Sequence, residues 1–131
     1  MKRCSFSVAA TCLVLALLLL APGCKRTLSQ KELDRGRAIL ETGLQAWEKG
    51  ERPDTLQKLD PPVYFRDEDW TKGMRLTAWE ITSTNGSVSD LTPRYEVVLT
   101  LADRKGKTIR RQVVYQIERK ETIAIVRDPY F

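Results

Sequence analysis

From Met74 to Arg127 the chain is written in twos. Arg94 to Ala102 places Tyr95, Val97, Leu99 and Leu101 on one side and Glu96, Val98 and Thr100 on the other. Lys107 to Glu118 repeats the pattern, with Ile109, Arg111, Val113, Tyr115 and Ile117 set against Arg110, Gln112, Val114, Gln116 and Glu118. Successive side chains leave a strand on opposite sides, so alternation of this length fits strands with one buried face. Met74 to Ser83 alternates less regularly through Leu76, Trp79 and Ile81, and Thr122 to Arg127 sets Ile123 and Ile125 against Ala124 and Val126. Asn85-Gly86, Asp103-Arg104-Lys105-Gly106 and Arg119-Lys120 separate the segments. Connections this short join antiparallel neighbours, so a four-stranded antiparallel meander is expected.

The segment before it has the helical period. Ser29 with Glu32 three residues later forms a capping box, Leu28 and Leu33 suit a hydrophobic staple, and Gly50 marks the end. Leu33, Gly36, Leu40, Gly43, Leu44 and Trp47 fall in one stripe, with Lys31, Glu41, Glu48 and Lys49 off it. A glycine in a helix interior costs about 1 kcal/mol, so Gly36 and Gly43 on the apolar stripe point to close approach of a flat partner such as a sheet. Arg52 to Leu59, with Pro53 at its first position, reads as a short helix stopped by Pro61-Pro62, and Asp67-Glu68-Asp69-Trp70 reads as one more helical turn. These pieces are expected to form a connector. The expected class is α+β, one amphipathic helix packed on the meander.

The N-terminus stands apart. Met1-Lys2-Arg3 is followed by 16 residues without charge, Phe6 to Ala21, and then by Pro22-Gly23-Cys24. This is the three-part pattern of a secretory signal, and the run is short for an uncleaved membrane anchor, the other reading of the same segment. Leu20-Ala21-Pro22-Gly23-Cys24 resembles the lipobox of bacterial lipoproteins, although Ala21 stands where a larger aliphatic residue is usual and Pro22 is an uncommon neighbour. The resemblance implies cleavage between Gly23 and Cys24, acylation of Cys24 including a palmitate-type chain, and anchorage on the extracytoplasmic side of a membrane. The expected organisation is a signal over 1–23, a lipidated tether over 24–28 and one domain over 29–131. Cys4 and Cys12 would leave with the signal, so a lipidated Cys24 leaves no thiol for disulfide, metal or catalysis. An unlipidated secreted form would carry one odd cysteine in an oxidising compartment.

A long helix followed by an antiparallel meander also resembles the cystatin-like and nuclear-transport-factor-2-like group of folds, on element order alone. Enzymes of that group hold acid/base residues in a pocket between helix and sheet. Here the whole chain has no His, so Ser-His-Asp and Cys-His chemistry are excluded, and neither a GxGxxG nor a GxxxxGK[ST] loop is present. A serine-lysine nucleophile has the residues but no supporting pattern. No catalytic residue, metal or cofactor is assigned.

Three groups remain as candidates. Asp67, Glu68 and Asp69 suit a hard cation by ligand type but lack the spacing of a calcium loop, and capping of a short turn accounts for them better. Arg104, Lys105, Lys107, Arg110 and Arg111 place five cations in eight residues, suited to an anionic surface or polymer, or else to keeping a strand edge from pairing. Trp47, Trp79, Tyr95 and Tyr115 are candidates for lining a small-molecule pocket, or else for filling the core. Tyr130 and Phe131 suit folding back on the sheet or a docking tag. From Cys24 onward, 20 basic residues face 17 acidic ones, too weak an excess for a nucleic-acid binder. The composition leaves the oligomeric state open. The expected function is an envelope-anchored, non-enzymatic binding domain whose partner is an unidentified envelope protein or polymer. The alternative is a ligand-binding protein or enzyme of the nuclear-transport-factor-2-like group.

Overall fold

The computed structural model describes residues 27–86 and 91–131. The first helix, α1, spans Gln30–Glu48 and is capped by Ser29, whose side chain accepts from the Glu32 N–H while the Glu32 carboxylate accepts from the Ser29 N–H. At its other end Gly50 takes φ +80°, and the amides of Gly50 and Glu51 donate to the carbonyls of Trp47 and Ala46. This pair of bonds satisfies carbonyls that a helix end otherwise leaves open, and a left-handed residue at that position favours glycine. A 3-10 helix, Pro53–Lys58, follows.

The strands are β1 (Val63–Arg66), β2 (Arg75–Gly86), β3 (Pro93–Ala102), β4 (Thr108–Arg119) and β5 (Ile123–Arg127), with a one-turn helix, α2 (Glu68–Thr71), between β1 and β2. They form one sheet in the order β1-β5-β4-β3-β2. The four-stranded antiparallel meander is therefore corrected to a five-stranded mixed sheet. β2 to β5 do form a meander, but Val63–Arg66, lying between the two expected connector pieces and given no element from sequence, adds a fifth strand parallel to β5. Asn85 and Gly86 are corrected too: they extend β2, pairing with Arg94 and Pro93, so the reversal lies beyond them and largely outside the described residues.

The faces follow the alternation. Tyr95, Val97, Leu99 and Leu101 on β3 and Val113 and Tyr115 on β4 are completely buried. β2 departs from strict alternation because its register slips between Leu76 and Ala78 and again between Ile81 and Ser83. The extra residues are Thr77 and Thr82, whose hydroxyls donate to the carbonyls of Thr100 (3.0 Å) and Glu96 (3.3 Å). One inserted residue lets Leu76 and Trp79, three apart, both pack toward the core. β2 is also an edge strand, and bulges of this kind bend an edge away from strand-to-strand pairing with other chains.

α1 lies against this core with Gly36, Leu40, Gly43, Leu44, Ala46 and Trp47 buried. The two glycines set the contact distance. A Cβ on Gly43 would stand 2.5 Å from Phe65 Cδ2 and 3.2 Å from Ile125 Cδ1, and one on Gly36 would collide with the Tyr95 hydroxyl. That hydroxyl donates to the Leu33 carbonyl at 2.6 Å, fastening the helix to β3. Phe65 occupies the centre of the aromatic packing, edge-on to Trp70 (5.3 Å), Tyr115 (5.2 Å) and Trp47 (6.5 Å), while Trp47 and Trp70 stack at 5.3 Å. The stacked indoles donate to the carbonyls of Met74 (2.8 Å) and Glu51 (3.0 Å). Large aromatic groups are thus buried with their polar atoms satisfied.

Candidate functional site

The strand β1 delivers the chain directly into a polar cluster. Asp67, the residue after it, caps α2: its Oδ1 accepts from the amides of Asp69 (2.8 Å) and Trp70 (3.2 Å). Its Oδ2 accepts from the Tyr115 hydroxyl at 2.5 Å and lies 3.7 Å from Arg127 Nη1. Two residues on, Asp69 Oδ2 accepts from Arg127 Nη1 at 2.9 Å and pairs with Arg111 Nε at 3.3 Å. Asp67 and Asp69 are both buried, and burial of carboxylates is tolerated when hydrogen-bonded cations compensate it. The sheet supplies those cations in register, because Tyr115 pairs with Arg127 across β4 and β5, and Arg111 projects from the same side of β4 as Tyr115.

The environment fixes the protonation of this cluster's phenol. Burial pushes Tyr115 well above the ordinary tyrosine value, and the negative charge of Asp67 and its hydrogen bond act in the same direction. For Arg127 burial opposes the charge, but the hydrogen bond to Asp69 and the charge of Asp67 outweigh it and hold the guanidinium above its usual range. Tyr115 is therefore a donor locked to Asp67. No buried side-chain polar atom among the described residues lacks a partner.

An open cleft of about 770 Å³ lies over this cluster, bounded by α2, the ends of β1 and β5, Arg111 on β4, and Pro129 and Phe131 of the tail. Arg66, Lys72, Arg111 and Arg127 line it together with Asp67 and Asp69. A second groove of about 540 Å³ runs beside the stacked indoles of Trp47 and Trp70, bordered by Arg52 and Arg75.

The residues singled out from sequence are distributed as follows. Gly23 and Cys24 lie outside the described residues. Trp47 edges the second groove, Trp79 packs partly buried against the core, and Tyr95 and Tyr115 are fully buried with both hydroxyls engaged. Burial and the nearby charge of Asp34 push Tyr95 up to about 12. Arg104, Lys105 and Lys107 occupy the β3–β4 hairpin and Arg110 follows on β4, all exposed, whereas Arg111 turns to Asp69. Asp67 and Asp69 join the arginine cluster, while Glu68 stays at the surface and pairs with Lys72 at 3.2 Å. Among the described residues no three acidic or thiol side chains converge as a metal-binding set. Tyr130 and Phe131 are exposed.

Sequence reasoning missed Arg127 and the burial of Asp67 and Asp69. The available signal was that Arg111 and Arg127 occupy positions on the apolar faces of their strands, after Ile109 and after Ile123 and Ile125. An arginine in such a place needs a carboxylate. Comparison with known families, curated proteins and solved structures returns no match for this chain.

Proposed function

We propose that this chain is an exported lipoprotein, cleaved before Cys24 and anchored through it on the extracytoplasmic side of a membrane, whose domain binds a partner and performs no catalysis. The anchoring part rests on the junction itself. The uncharged run ends in Ala21-Pro22-Gly23-Cys24, and the capped start of α1 follows at Ser29, five residues after the cysteine. Among the described residues no helix is long and apolar enough to cross a membrane. Acyl chains on Cys24, at about 0.8 kcal/mol per buried methylene, would hold such a domain stably.

The non-catalytic part rests on the buried Asp67–Tyr115 pair at the floor of the cleft, the single observation that weighs most against an enzyme. A general acid or base must present its proton to a substrate. Asp67 instead accepts two backbone amides and the Tyr115 hydroxyl, and Tyr115 has no exposed surface. The alternative reading, an enzyme with a carboxylate beside Tyr115 opening into a deep pocket, would need this pair to come apart. Membrane fractionation tests the proposal: the wild type sediments with membranes and is released by detergent, while Cys24→Ala appears in the soluble fraction. Equal sedimentation of both proteins overturns it.

A further inference from the structure

The charge of the folded domain is segregated along its length. Residues 68–75 and 103–111 hold seven basic and three acidic side chains, a local excess of +4, while the other residues from Thr27 onward hold eleven basic and fourteen acidic, an excess of −3. The structure brings these two segments together. Arg75 pairs with Ala102 at the start of β2, the Arg104 guanidinium lies over Gly73, and Asp69 holds Arg111. All seven cations are exposed: Lys72, Arg75, Arg104, Lys105, Lys107, Arg110 and Arg111. Their acidic neighbours are occupied. Asp69 is buried against Arg127 and Arg111, Glu68 pairs with Lys72, and Asp103 turns inward to accept the amides of Lys105 and Lys107, both at 2.8 Å. The hairpin is thus a rigid mount with its carboxylate folded in and its cations out.

Its position decides what it meets. α1 runs from Leu33, bonded to Tyr95 near the start of β3, to Trp47, bonded to Met74 just before β2. The start of α1, and with it Thr27 where the described chain begins, is therefore at the opposite end of the sheet from the basic hairpin. The ten residues of β3 separate the two ends by about 33 Å. Six residues from Cys24 to Gln30 reach at most about 20 Å, and charge attraction is screened within about 8 Å at physiological salt. The reversal at Arg119 and Lys120, at the tether end, is balanced by Glu118 and Glu121.

We propose that the basic end binds a linear polyanion, a chain of repeating phosphate or carboxylate groups, standing off the membrane in which the protein is anchored. The orientation rests on the anchoring proposed above, whereas the ligand class rests on the charge segregation alone. The protein purified from its membrane, in phosphatidylcholine vesicles, is titrated with labelled long-chain inorganic polyphosphate and, in a second arm, with polyglutamate. Binding that weakens steeply with salt is expected, because each neutralised charge releases counterions. Arg104→Gln/Lys105→Gln/Lys107→Gln should weaken it at least tenfold and flatten the salt slope by about two. Lys72→Gln/Arg75→Gln, on different elements, should weaken it severalfold. The charge-matched Lys31→Gln/Arg119→Gln/Lys120→Gln at the tether end should leave it within twofold. Preference between the arms tells phosphate from carboxylate. The proposal is overturned if the tip variants bind like wild type, if the tether-end variant loses as much, or if the tip engages only vesicles containing anionic lipid. Acylation is read separately by mass, so a tip that binds polyanion on a chain without lipid refutes the anchoring and retains the ligand class.

Discussion

Gly43→Ala separates helix propensity from packing. At an exposed helix position this change stabilises by about 1 kcal/mol, because alanine loses less backbone freedom on folding. At Gly43 the new methyl would stand 2.5 and 2.7 Å from Phe65 Cδ2 and Cε2 and 3.2 Å from Ile125 Cδ1. Phe65 is hemmed in by Trp47, Trp70 and Tyr115, so relief requires α1 to lift from the sheet. Overpacking of a filled core costs about 1–3 kcal/mol. Set against the propensity gain, the net expectation is a loss of about 1 kcal/mol. Urea denaturation followed by tryptophan fluorescence measures it, since Trp47 and Trp70 are both buried at this contact. In a Phe65→Leu background, where the ring is gone, Gly43→Ala should become neutral or stabilising, a coupling of at least about 1 kcal/mol. A stabilising effect of Gly43→Ala in the wild-type background refutes the claim that glycine sets the helix-to-sheet distance.

Two further outcomes follow from the polar contacts. Tyr115→Phe removes the donor from Asp67 Oδ2 in a buried site and should cost about 1–3 kcal/mol, read as a lower urea midpoint with an unchanged slope; an unchanged midpoint contradicts the buried pair. Alkaline pH acts on both core tyrosines. Their folded-state values are raised, Tyr95 to about 12 and Tyr115 well above the ordinary tyrosine value, so the stability they confer is complete below the unfolded value of about 10 and is lost as pH climbs through the folded values. A urea midpoint flat in its tyrosine contribution up to pH 10 and falling between pH 10 and 12 is expected, with a shallower fall in Tyr95→Phe.

Much of the fold was legible because it is local. The Ser29–Glu32 capping box, the glycine end of α1 and the phase of β3 and β4 each follow from residues a few positions apart, and the buried faces match the alternation on β3 and, apart from buried Val114 and exposed Arg111, on β4. The glycines on the apolar stripe signalled a close partner, and Phe65 and Tyr95 are what they meet. β1 was not legible. Val63-Tyr64-Phe65-Arg66 offers only two apolar turns of the period, sits behind Pro61-Pro62, and finds its partner β5 some sixty residues later in a parallel pairing that no turn residue announces. Asn85-Gly86 misled for the converse reason: the dipeptide favours a turn, but pairing with Arg94 and Pro93 continues the ladder through it. The polar cluster stayed hidden because burial of Asp67 and Asp69 depends on Arg111 and Arg127, more than forty residues away in sequence, and only the misplaced arginines hinted at it.

Intact mass spectrometry of the protein extracted from its own membrane, beside Cys24→Ala, tests the anchoring most directly. The expected result is a chain of residues 24–131 bearing the added mass of two or three acyl chains, with that mass absent from the variant. A mass equal to residues 1–131, or a cleaved chain with an unmodified Cys24, would contradict it.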